Sequence, residues 1–251
     1  MIKVAVSGAS GRMGTLTRTV IHEAPDLQYA GGFARSRVPQ EQIFDSLEEL
    51  LRAAKPDVLV DFTVRPITQA AARLALEHGA IPIVGSSEWN DGERAELARL
   101  CEQRGGGALL VPNFALGAVL MMRFAEQAAP YFPTIEIVET HRHDKRDKPS
   151  GTAAATAARI RANGGPGDVP IHSVRLHGAV SHQEVVCGNT GELLTIRHDS
   201  FSEQSFAAGI LLAIRNARSV RGLAVGLDVM LTGGGAHAAH AGDVQPERLS
   251  T

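Results

Sequence analysis

Cysteine is nearly absent from this chain: Cys101 and Cys187, far apart in sequence, are the only two. Without neighbouring ligand residues they make neither a disulfide framework nor a zinc site. They suit a reducing compartment, so a cytoplasmic location is expected. No run of about 18 apolar residues occurs, and no membrane span is expected. The opening MIKVAVSGAS has too short an apolar run for a signal peptide and no small-residue cleavage site after it. A positive charge excess is also missing. The formal net charge is -2, which gives bulk electrostatics no reason to favour nucleic acid. What remains is an ordinary globular composition, 44% hydrophobic and 21% charged over 251 residues. That is enough for one or two domains with a sizeable core.

Strand and helix signals alternate through the first part of the chain. Ile2–Val6 and Asp57–Phe62 read as short buried strands, and Ile81–Val84 and Ala108–Val111 follow in the same style. Helical patterns lie between them, with Gly79 and Gly105 placed as C-terminal stops. This rhythm predicts a doubly wound parallel sheet with helices on both faces. After about residue 113 the rhythm changes. A long helix, Leu116–Ala129, precedes a strand over Ile135–Thr140, a helix over Ser150–Arg161 and three strands over 173–198. Thr190-Gly191 suits a hairpin turn between the last two strands. The fold class expected is therefore α/β: an N-terminal Rossmann-like domain (1–112 and 218–231) plus a C-terminal α+β domain (113–217). The tail, 232–251, is poor in bulky residues and is expected to be flexible. His237 and His240 there are too sparse a pair to argue for a metal, and none is expected.

Gly8-Ala9-Ser10-Gly11-Arg12-Met13-Gly14 follows the first strand and opens the first helix. Glycines permit a tight turn and close approach to a pyrophosphate, and a helix N-terminus presents unpaired N–H groups. A glycine pattern alone is weak, since a plain strand-to-helix turn also uses glycine, but its place in a strand–loop–helix unit strengthens it. The second strand ends in Phe33-Ala34-Arg35-Ser36-Arg37, with two arginines and no carboxylate. Arginine suits a 2′-phosphate, so the sequence leans to NADPH, with NADH possible. Phe62-Thr63 and Gly85-Ser86-Ser87 end two further strands and would edge the cofactor cleft.

The stretch ETHRHDKRDKPSGTA, Glu139 to Ala153, crowds four basic and two acidic side chains and two histidines into His141–Lys148. It then runs into Pro149-Ser150-Gly151-Thr152, a helix start. Ser150 would cap that helix, and the N–H groups of Gly151 and Thr152 would face an anion. Proton donors and cations beside a helix N-terminus make a carboxylate site. Arg146 and Lys148 read as solvated.

Taken together, GASGRMG at 8–14, DFT at 61–63, GSS at 85–87, PNF at 112–114, ETHRHDKRDKPSGTA, and QEVVCGNTGELLTIRHDSFSEQSF at 183–206 resemble the bacterial dihydrodipicolinate reductase family over nearly the whole chain. The resemblance implies reduction of 4-hydroxy-tetrahydrodipicolinate in lysine and diaminopimelate synthesis. It implies acid catalysis by His141 and Lys145 and a substrate carboxylate bound by the main chain of Gly151 and Thr152. It implies cofactor contacts from Gly8 to Met13, from Gly85, Ser86 and Ser87, and from Val111, Pro112, Asn113 and Phe114. It also implies a homotetramer joined through the second domain's sheet.

Three positions depart from the family pattern. Arg142 stands where the family has a second histidine, Glu203 where it more often has arginine, and Ser87-Glu88 where a glycine usually follows paired threonines. Arginine at 142 binds a carboxylate but cannot act as an acid. Lys145 is the expected proton donor. His141, with an ordinary pKa of ~6.5, would donate or orient. Two rival readings are another NAD(P)-dependent dehydrogenase, such as one for an amino acid, and a non-catalytic NADP sensor.

Overall fold

The computed structural model describes residues 1–36, 41–86 and 89–231. Arg37, Ser87, Glu88 and the tail with His237 and His240 lie outside the described residues. The first unit runs β1 (Ile2–Ser7), α1 (Arg12–Glu23), β2 (Leu27–Phe33), β3 (Ile43–Phe44), α2 (Leu47–Ala54), β4 (Val58–Asp61), α3 (Ile67–Glu77), β5 (Ile81–Val84), α4 (Asp91–Arg104) and β6 (Gly107–Leu110). The second runs α5 (Leu116–Ala128), β7 (Thr134–Arg142), α6 (Gly151–Ala162), β8 (Ile171–Leu176), β9 (Ser181–Asn189) and β10 (Glu192–Ser200). Helix α7 (Ala207–Asn216) and strand β11 (Gly222–Val225) return to the first unit. None of the described helices is long and apolar enough to cross a membrane.

The seven-stranded sheet has the order β11-β6-β5-β4-β1-β2-β3, and its paired strands are parallel. Strand alternation feeds both faces. Val4, Val6, Val58 and Val60 join α1 and α7 in one core cluster, whereas Ala5 and Leu59 join α2 and α3 in another. Full burial of each such valine or leucine contributes roughly 1.5–3 kcal/mol. The strand order reverses between β1 and β4, so a crevice opens beyond their carboxyl ends, where open α/β sheets bind ligands.

The second sheet has the order β10-β9-β7-β8, with only β7 and β8 parallel. Thr190-Gly191 makes the hairpin turn between β9 and β10, with Gly191 at φ 80. One face of this sheet divides along its length. Ile135 pairs with Cys187, and Ile137 with Val185, under α5 and α6. Further along the same face Glu139 pairs with Gln183, and His141 with Ser181. Across β9, Gln183 pairs with His198 and Ser181 with Ser200. The dry end of the sheet is therefore continuous with a polar end at the cleft.

Three departures from the sequence reading stand out. The strand β7 runs on to Arg142, so His141 and Arg142 are strand residues held by ladder bonds rather than loop residues. Strand β3 has only two residues and β11 is a short partly exposed run; they form the two edges of the seven-stranded sheet. Strand β8 begins at Ile171, earlier than its apolar pattern suggests.

Gly14 carries the contact between β1 and α1: a Cβ there would overlap the carbonyl oxygen of Gly8. Gly14→Ala should lower stability by about 1–3 kcal/mol, read as a drop of several degrees in thermal melting. Gly167→Ala, in open space, should change stability by no more than about 0.5 kcal/mol.

Candidate active site

The glycine-rich loop is tied down from within. Gly8 sits at φ 80, and the N–H groups of Gly8 and Ala9 donate to the Phe33 carbonyl at 2.9 and 3.0 Å. Beneath it, the buried Arg18 donates Nε to the Ala9 carbonyl at 3.0 Å and pairs with Glu41 at 2.9 Å. The side chain of Ala9 is in the core. No side chain caps α1, and the N–H groups of Arg12, Met13 and Gly14 have no backbone acceptor among the described residues. A cradle that only glycine allows, facing an uncapped helix start, fits the pyrophosphate of a dinucleotide.

Two cavities flank this loop. One, of about 260 Å³, is lined by Gly8, Ser10, Gly11, Arg35, Phe62 and Thr63 among others. The second, of about 270 Å³, lies between the two sheets, with Met13, Phe62, Gly85 and Pro112–Phe114 on one side and His141, Thr152, Gln183 and His198 on the other. Phe62 walls both. Its ring meets Phe114 at 5.3 Å between centroids, tilted by 55°. Gly85 leaves room for that ring, since a Cβ there would overlap it. Thr63 donates its hydroxyl to the buried Asp61 at 2.7 Å, which fixes the strand end. Val111 is fully buried and donates its N–H to Val84 at 2.8 Å, so its side chain belongs to the core beneath the cavity.

On the second sheet, Glu139 is fully buried and receives three elements at once. Arg175 from β8 donates to both carboxylate oxygens at 2.9 Å, Ser150 donates its N–H at 3.3 Å, and His141 Nδ1 lies at 2.5 Å. Burial alone would raise the Glu139 pKa, but hydrogen bonds from Arg175, Ser173 and His141 outweigh it and hold the carboxyl below its ordinary value. Burial also lowers the His141 pKa, against the pull of Glu139. An ionised carboxylate can only accept, so the neutral ring carries its proton on Nδ1. Its Nε2 then accepts from the Ser181 hydroxyl at 3.1 Å.

Arg175 also fastens the loop that follows β7. Its Nε donates to the Lys145 carbonyl at 3.2 Å and its other guanidinium nitrogen to the Asp147 carbonyl at 2.6 Å. Lys145 Nζ is held by Asp147 at 2.8 and 2.7 Å, outside the lining of the inter-sheet cavity. Arg142 points to the opposite face of β7 from His141 and pairs with Asp144 at 3.0 Å, so it is not brought to the cavity.

Ser150 is a helix cap: its buried hydroxyl accepts from Ala153 at 3.2 Å. The N–H groups of Gly151 and Thr152 have no acceptor among the described residues. Asn113 links the two sides, donating to the Thr152 hydroxyl at 3.3 Å and accepting from Ala115 at 2.9 Å. Arg12 reaches across to Glu203 at 3.2 Å, so the unusual acidic residue faces the glycine-rich loop.

Sequence reasoning gave no role to Glu139, Arg175, Ser181, Gln183 or His198. One signal was available: Glu139 falls in step with Ile135 and Ile137, on the apolar face of an alternating strand, where a charge demands a partner.

Removing the Glu139 charge leaves Arg175 buried and unpaired. Glu139→Gln should cost about 3–5 kcal/mol at neutral pH. A carboxyl whose folded pKa is depressed stabilises fully above its unfolded value of about 4.3, and that contribution is lost as pH falls through the folded value. The variant's stability should therefore vary less with pH on the acid side than the wild type's, as measured by denaturant unfolding at stepped pH.

Comparison with known proteins agrees along the whole of this architecture. A family model described as "Dihydrodipicolinate reductase, N-terminus" matches residues 2–114, and "Dihydrodipicolinate reductase, C-terminus" matches residues 117–231. The 4-hydroxy-tetrahydrodipicolinate reductase of Moorella thermoacetica is 41% identical, over 92% of this chain and 98% of its own length. That of Enterococcus faecalis is also 41% identical, over 92% of this chain and all (100%) of its own. The solved structure of a dipicolinate-bound dihydrodipicolinate reductase from Paenisporosarcina sp. TG-14 superposes with a TM-score of 0.84 at 33% identity, covering 91% of this chain and 99% of that one. The chain thus belongs to the dihydrodipicolinate reductase family and is an NAD(P)H-dependent oxidoreductase of lysine and diaminopimelate biosynthesis.

Proposed function

We propose that the chain reduces 4-hydroxy-tetrahydrodipicolinate in the cavity between its two sheets, with NADPH preferred, as a cytoplasmic homotetramer. The observation that carries the reading is the cavity's lining. Gly85 and Pro112–Phe114 at the cofactor side face His141 and Thr152 at the substrate side. When bound, the dinucleotide would supply a hydride: the ring hydroxyl leaves as water with a hydrogen from the neighbouring carbon, and hydride and a proton then add across the double bond so formed. The cofactor's phosphates would be held by the open N–H groups at Arg12 and Met13, and a 2′-phosphate by Arg35 just beyond β2.

One substrate carboxylate sits on the N–H groups of Gly151 and Thr152, at the positive end of α6. The dipicolinate named in the Paenisporosarcina structure is a cyclic dicarboxylate of this kind. Lys145 is the proton donor: an anionic substrate competes with Asp147 for its ammonium, drawing it toward the cavity. His141 orients rather than donates, since its one ring proton, on Nδ1, is directed to Glu139 and its free nitrogen accepts from Ser181. Arg142, at the end of β7 and paired with Asp144 outside the cavity, is given no substrate contact in this reading.

The tetramer is supported by β10. It is an edge strand, it spans Glu192–Ser200, and Leu193 on it is 75% exposed. Leu194 beside it is exposed as well, and apolar side chains on an open sheet edge are normally covered. A mass of four chains by light scattering is the corresponding check.

In steady-state assays that follow NADPH consumption, Lys145→Ala should lower kcat by about 10²–10⁴-fold. A Lys145→Ala, His141→Ala double variant with unimpaired turnover would sink the assignment. Arg35→Ala should raise KM for NADPH about tenfold and leave KM for NADH within about twofold. Equal effects on both cofactors would remove Arg35 from the phosphate site.

A further inference from the structure

Two polar side chains in the inter-sheet cavity have no task in the reaction so far described. Gln183 and His198 face each other across the β9–β10 ladder, on the same face as His141 but displaced toward β10. Gln183 is 95% buried, since only 5% of it is exposed. Its amide orientation is determined by a neighbour. The Thr156 hydroxyl gives its one hydrogen to the Thr152 carbonyl at 2.8 Å, so its oxygen must accept, and it accepts from Gln183 Nε2 at 2.8 Å. The carbonyl oxygen of Gln183 is left buried with no partner. Such an unpaired acceptor is unfavourable and calls for a donor.

The His198 imidazole likewise makes no hydrogen bond among the described residues. Space for it is provided by Gly117 on α5, where a Cβ would lie 2.5 Å from the ring's Cδ2. Burial, only partly countered by Asp199, holds its pKa below the ordinary value. A neutral imidazole offers one donor and one acceptor. The pair therefore presents an acceptor and a donor together, which is the complement of a hydroxyl group. Carboxylates donate nothing, and in the unprotonated imine form of 4-hydroxy-tetrahydrodipicolinate the hydroxyl is the one hydrogen-bond donor.

We infer that Gln183 and His198 recognise the ring hydroxyl of the substrate, while Gly151 and Thr152 hold a carboxylate. This rests on the carboxylate reading above. Both are specificity residues, and the chemistry stays with the groups around His141.

The test compares two ligands that differ at that position: 4-hydroxy-tetrahydrodipicolinate as substrate and dipicolinate, which has no hydroxyl, as a binding probe. His198→Leu should raise KM for the substrate about tenfold and change dipicolinate Kd by less than about twofold. His198→Gln, which keeps a donor, should recover part of the loss. Gly117→Ala provides a second variant that should fold, because alanine is the better helix former. The imidazole must move aside for the new methyl group, so KM for the substrate should rise, while the gain in helix propensity offsets part of the packing cost and the variant should still melt cooperatively. Unchanged KM in His198→Leu overturns the inference, as does an equal loss of dipicolinate affinity, which would make His198 a wall of the pocket. A wild type that neither binds dipicolinate nor consumes NADPH with the substrate overturns the carboxylate reading itself, and this one with it.

Discussion

The ion pair between Glu139 and Arg175 is the constraint on which the substrate side depends. Neither charge is tolerable in the interior alone, and Arg175 donates to both carboxylate oxygens of Glu139. Glu139 spends its remaining capacity on His141 and on the N–H of Ser150, while Arg175 reaches the carbonyls of Lys145 and Asp147. One buried pair thus sets a tautomer, the start of a helix and the path of the loop between them. The acidic residue that opens the basic stretch is its structural centre, and most of the cations after it are peripheral.

The cofactor side rests on the opposite principle, the absence of side chains. Gly14 lets α1 lie on the strand end, and Gly85 lets Phe62 turn against Phe114. Both are close approaches of backbone or ring that any Cβ would prevent. The positive end of α1 is then left open, and the positive end of α6 is presented across the cleft from it. Two open helix starts, with the Phe62–Phe114 ring pair between them, are the features that the proposed binding of two anionic molecules rests on.

Much of this was legible in the sequence because it is local. Alternating strand and helix patterns, the glycine-rich loop, the Thr190-Gly191 turn and the Ser150 cap are each encoded within a few residues. The hidden parts are non-local. The pairing of Glu139 with Arg175 spans two strands joined by a helix, and the Gln183–His198 pair exists only once β9 and β10 are in register. β3 and β11 depend on an edge that other strands supply. His141 read as a loop residue because polar side chains at a cleft mimic loop composition, although the strand ladder runs past them.

Phe62 has a consequence for anyone altering this protein's cofactor use. A single ring is wall to both cavities, so the two cavities are not separate modules. Enlarging a side chain beneath the ring to tighten one compartment would tilt it into the other, and a gain at the reacting end would return as a loss at the far end. Redesign would do better to start at the outer rim, at Arg35, where a changed side chain has solvent to move into and no shared partition to displace.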